Sequence, residues 1–80
     1  MERRQMIEEH LLQAERHVMQ DENLIRRQRC VADELEHDGH AKDALEAHRL
    51  LGEFEDFQRM HIADRDRLRT ELQELRRHSQ

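Results

Sequence analysis

The chain reads as an all-α protein: two long helices in an antiparallel coiled-coil hairpin that dimerises into a four-helix bundle. Three observations predict this. A heptad ladder is written twice, once on either side of Gly39 and His40, and no proline interrupts it. Charged residues make up 41% of the sequence with both signs interspersed, which suits a solvated helix with ion pairs better than a disordered acidic tail. A single domain spanning residues 1–80 is expected, because so short a chain cannot bury two cores.

The first helix is expected over about residues 2–37. Its seam steps by alternating fours and threes through Ile7, Leu11, Ala14, Val18, Asp21, Ile25, Gln28, Ala32 and Leu35, which keeps one stripe on one side of the helix. Asp38-Gly39-His40 is the turn: Gly39 suits the left-handed position that ends a helix, and His37 sits where the helix dipole favours positive charge. The second helix is expected over about residues 41–77, with Ala44, Ala47, Leu51, Phe54, Gln58, His61, Arg65, Leu68, Leu72 and Leu75 as its seam. Each helix is about 50 Å long at 1.5 Å per residue. Gly52 stands in the helix interior, where glycine costs about 1 kcal/mol relative to alanine. It either permits close approach of another helix or is a tolerated weak point, and Leu50, Leu51, Phe54 and Phe57 around it favour close packing.

Folding the ladder at the turn sets one alignment, in which Leu11 meets Leu68, Ile25 meets Phe54 and Leu35 meets Ala44. Both flanks agree with it. On one, Val31 faces Leu50 and Leu24 faces Phe57, while His17 faces Asp64 and His10 faces Glu71. On the other, Arg29 reaches Glu55, Glu15 reaches Arg69 and His48 reaches Glu36, pairs that set orientation at about 0.3 kcal/mol each.

Such a hairpin buries each helix on one side only, whereas ordering its residues costs on the order of 1.5 kcal/mol each, so a second copy is expected. Leu24, Val31, Ala47, Leu50 and Phe57 widen the apolar stripe in the turn-proximal half to the breadth seen inside a four-helix bundle. They are the expected homodimer interface, with a heterologous helical partner as the alternative occupant.

The function expected of this pattern is a small, non-enzymatic protein–protein interaction and assembly module. With one Ser, at position 79, one Thr, at position 70, and no glycine-rich loop, the chain assembles neither a nucleophile with its base nor a phosphate cradle. His61, with Asp64 and Arg65 beside it, would suit phosphotransfer only if it were accessible, and its seam position turns it inward. A net charge of -5 argues against nucleic-acid binding, and Arg26, Arg27 and Arg29 lie on different sides of their helix. No run approaches the ~18 apolar residues of a membrane span, and the start lacks the apolar stretch of a secretory signal, so a cytoplasmic location is expected. Cys30 is the one cysteine and faces outward in this register; a free thiol there fits a reducing compartment.

One constellation carries chemical potential. At mid-hairpin Asp21, Gln58, His61 and Arg65 interrupt the apolar seam, with His17 and Asp64 on its flank. His17 and Asp21 are four apart on one helix, and His61 and Asp64 three apart on the other, so two imidazoles and two carboxylates can converge. That is the donor set of a zinc or similar divalent site. Three readings stand: a polar layer that penalises wrong registers, a pH-responsive cluster, and a metal site at His17, Asp21, His61 and Asp64. No other cofactor is implied. Full protonation of the seven histidines would take the formal net charge from -5 to about +2. If His17 and His10 pair with Asp64 and Glu71, they add stability in acid that is lost as pH rises. The second histidine group, His37 and His40 with Asp38 and Asp43, reads as a turn with helix-end charges.

Three stretches resemble a known group: Ala14-Glu15-Arg16-His17-Val18, the run from Arg26-Arg27-Gln28 through Glu34-Leu35-Glu36-His37-Asp38-Gly39-His40, and His61-Ile62-Ala63-Asp64-Arg65-Asp66-Arg67-Leu68. They look like the short helical-hairpin proteins of alphaproteobacteria, rhizobia especially. The resemblance covers most of the chain, its more specific parts being the Asp38-Gly39-His40 turn and the Asp64–Leu68 run. It implies a bacterial cytosolic setting, in keeping with thirteen Arg to one Lys. That group has no established activity, so no catalytic residue is carried over.

Overall fold

The computed structural model describes residues 2–78, and these form two helices packed side by side along their length. α1 runs Arg3–His37 and α2 runs Ala41–His78, each bound within a residue of the expected one. The hairpin measures 61 × 16 × 14 Å, a rod only two helices wide. No described helix is long and apolar enough to cross a membrane.

The turn is closed by two backbone bonds. The amide of Gly39 donates to the Glu36 carbonyl at 3.2 Å and that of His40 donates to the Leu35 carbonyl at 2.9 Å, which together satisfy the last carbonyls of α1 in a Schellman motif. Gly39 holds φ +81°, a conformation that an L side chain adopts only with strain. The His40 carbonyl then accepts the Ala44 amide at 2.9 Å and opens α2. Asp43 in its first turn and Arg76, Arg77 and His78 in its last complement the dipole at both ends.

Every buried apolar side chain is one of the seam positions, and the remaining seam positions are half-buried, save Asp21, which is buried. Near the turn the seam is built from alanines, Ala32, Ala44 and Ala47, which let the two backbones approach. At the open end Ile7, Ala14, Leu68 and Leu72 form a cluster against which Leu11 and Leu75 pack. Ala47, assigned above to a dimer interface, is therefore corrected: it lies in the hairpin's own seam and is only 7% exposed. Its place in the ladder three residues after Ala44 turns it toward α1.

Of the two readings of Gly52, the hairpin favours the tolerated weak point, since a Cβ built on it meets nothing within 4 Å. No neighbouring segment of the hairpin approaches it. The two glycines should thus respond oppositely to alanine: Gly39→Ala lowers the melting temperature through an ~1–2 kcal/mol left-handed penalty, and Gly52→Ala raises it through an ~1 kcal/mol gain in helix propensity. Thermal melts followed by circular dichroism at fixed protein concentration check both signs.

Candidate functional site

The polar layer is built by one residue from each seam. Asp21 projects from α1 into the interface and is 8% exposed, a burial that a carboxylate tolerates only with a partner. His61 of α2 supplies it, with its Nδ1 2.5 Å from Asp21 Oδ2. The side chains of His61 and Asp21 are 31% and 11% exposed, so this is the most shielded charged contact between the helices. His17, one turn before Asp21, stacks toward the same imidazole, with ring centroids 5.0 Å apart and planes tilted by 41°. No buried side-chain nitrogen or oxygen among the described residues lacks a hydrogen-bond partner.

Two further seam residues solve the same problem differently. Gln28 donates from its amide to the Ala47 carbonyl at 2.9 Å, a side-chain bond to the opposite helix backbone that the small Ala47 side chain leaves accessible. Arg65 turns its guanidinium to its neighbour Asp66 at 3.1 Å, laying its stem in the seam and its charge toward solvent.

The four proposed metal donors are only partly brought together. Asp21 bonds His61 and the His17 ring lies against that of His61, but the exposed Asp64 carboxylate accepts from Arg67 at 3.2 Å. Arg67 also donates to Glu71 at 3.0 Å. The expected pairs of His17 with Asp64 and His10 with Glu71 are thus replaced by contacts within α2, since Arg67 stands three residues after one carboxylate and four before the other. Its hydrogen bond to Asp64, opposed by slight desolvation and helped by Glu71, holds the guanidinium in its charged form above the usual arginine range. The stability in acid expected of those two imidazole pairs has no contact from which to arise. His10, His17, Asp64 and Arg67 instead line an open groove of 280 Å³ over Ala14 and Leu68.

On the opposite flank the expected pairs form: Glu15 accepts from Arg69 at 3.2 Å, Arg29 lies 3.9 Å from Glu55, and His48 lies 3.4 Å from Glu36. All six side chains are largely in water, so their contribution is orientation at a few tenths of a kcal/mol each, on the order of 0.3. Beside the last pair stands Asp33, a residue the sequence reading left out. Asp33, Glu36 and His48 each place one ligand atom within 4.8 Å of the other two, a three-donor set that the mid-hairpin layer does not provide. The signal for it was present, since Asp33 and Glu36 are three apart and Glu36 faces His48. At the turn, His37 Nδ1 lies 3.4 Å from Asp38, and both side chains are exposed.

The apolar flank survives as an exposed feature. Leu24 is 43% exposed, Val31 45% and Phe57 52%, with half-buried Leu50 among them. Cys30 is free and exposed, as its outward position requires. No protein-family model matches this chain, and no curated protein or solved structure matches it either.

Proposed function

We propose that this protein is a self-associating interaction module, a helical hairpin that pairs with a second copy through Leu24, Val31, Leu50 and Phe57 to make a four-helix bundle. The observation that carries this reading is the exposure of Leu24, Val31 and Phe57, with half-buried Leu50 among them, on one flank and in one half of the rod. Water contact with such side chains costs about 1.5–3 kcal/mol for each that a partner would bury. A rod 16 × 14 Å in cross-section has no second layer of its own to cover them.

The occupant proposed is a second copy because the patch is shared between the helices: Leu24 and Val31 from α1, Leu50 and Phe57 from α2. A two-fold axis through it sets α1 of one copy on α2 of the other, so each apolar side chain meets its counterpart. The Asp21–His61 layer then acts as the register device, because sliding one helix strands a buried carboxylate without its imidazole. The setting proposed is the bacterial cytoplasm, where an exposed Cys30 stays reduced.

Sedimentation equilibrium on the metal-free protein tests the reading. Twice the 9.8 kDa chain mass is expected, with a melting temperature that rises with protein concentration. A mass of 9.8 kDa up to high concentration would remove the second copy from the account.

A further inference from the structure

We propose that Asp33, Glu36 and His48 form a site for a divalent transition-metal ion of the zinc class, clasping α1 to α2 on the flank away from the apolar patch. The geometry rests on three facts. Asp33 and Glu36 stand three apart on α1, so their carboxylates share one face across a single turn. His48 comes from α2 and already lies with its Nε2 3.4 Å from Glu36 Oε2. The three ligand atoms lie within 4.8 Å of one another. Around a tetrahedral zinc with bonds of about 2.0–2.2 Å, neighbouring ligand atoms stand roughly 3.3–3.6 Å apart. These side chains are exposed and free to rotate that last distance.

Charge points the same way. The chain carries thirteen arginines, and five of them, Arg4, Arg49, Arg59, Arg65 and Arg67, are placed against carboxylates of their own helix. Arg29, one turn before Asp33, is directed instead to Glu55, and Arg49, beside His48, to Glu46 and Glu53. Among the described residues, Asp33 and Glu36 have no guanidinium or ammonium partner. With the imidazole neutral, the pair of carboxylates presents two negative charges to a dication. The imidazole selects zinc, nickel or copper over magnesium and calcium, which take oxygen alone. Three protein donors leave a fourth position for water.

Because the donors come from both helices, the set exists only in the folded hairpin, so binding registers as stability. Zinc chloride is titrated into chelator-treated full-length protein by calorimetry, alongside thermal melts. One zinc per chain and a saturable rise in melting temperature are expected. His48→Gln, and separately Asp33→Asn with Glu36→Gln, should each weaken binding at least about tenfold while the circular dichroism of these exposed variants stays that of the parent. His61→Gln, measured at a temperature where its helix content equals the parent's, should bind as the parent does. Unchanged binding in His48→Gln, loss confined to His61→Gln, or no heat with the parent protein would each overturn the assignment. Stoichiometry is counted per chain, so the result stands apart from the oligomeric state.

Discussion

A hairpin carrying Leu24→Glu together with Phe57→Glu is expected to sediment as a single 9.8 kDa chain, and the parent as two. Both positions are already about half in water in the hairpin, so a carboxylate there is tolerated by the monomer. In the dimer each would be buried against an apolar counterpart, and an unpaired charge taken out of water costs several kcal/mol, on the order of 3–5. Four such charges per bundle would exceed what a patch of this size contributes. Leu45→Glu is the control. Leu45 is 72% exposed, and its heptad position one residue after Ala44 sets it apart from the apolar flank, so the mass should stay that of the parent. Loss of the dimer in the control as well would mean that the patch is not where the copies meet.

Asp21→Ala should lower stability by about 2 kcal/mol, since it removes a charge-assisted bond and leaves the His61 imidazole facing an apolar seam. The figure is held below the full cost of breaking a buried pair because the His61 side chain is 31% exposed and water screens part of the loss. In a chain of this length that is a fall of roughly 10 °C in melting temperature. The informative variant is the pair Asp21→Leu with His61→Leu, which should regain most of the loss or exceed the parent, as apolar replacements of shielded polar pairs do. If the layer acts as a register device, the regained stability comes with a looser alignment, visible as a spread of amide environments around residues 17–28 by nuclear magnetic resonance. Asp21→Asn with His61→Gln, which keeps hydrogen-bonding groups on both sides, should hold the parent's alignment. A single sharp set of signals in the double leucine variant would assign the layer to stability alone.

The fold was legible because the features that set it are periodic or local. Alternating steps of three and four place Ile25 and Phe54 in the seam whatever their neighbours do, and Gly39 marks the turn through a backbone conformation open to few other residues. The alignment was legible too: Glu15 with Arg69, Arg29 with Glu55 and Glu36 with His48 all pair across one flank. What could not be read was the choice among competing partners. Asp64 and Glu71 had two cations each within reach, and Arg67 took both because its spacing on the same helix brings it there. Spacing gives the candidates for a contact; rotamers decide among them. The same limit hid Asp33, whose side chain completes a donor set only once α2 is laid beside it. Gly52 stayed open between two readings because apolar neighbours in sequence suggested crowding, whereas within the hairpin nothing lies within 4 Å of its Cβ position.

Pairing of two hairpins is the claim on which the rest of the functional reading leans, and Cys30 offers a direct view of it. The thiol is the chain's single cysteine, exposed and outside the seam, so a nitroxide attached there disturbs no contact and labels each copy once. Double electron–electron resonance on this labelled protein should give one narrow distance between two spins, the signature of a two-fold dimer with a fixed register. A trace without dipolar modulation, at a concentration where the helices are fully formed, would contradict the account and leave a monomeric hairpin whose apolar flank meets a different protein.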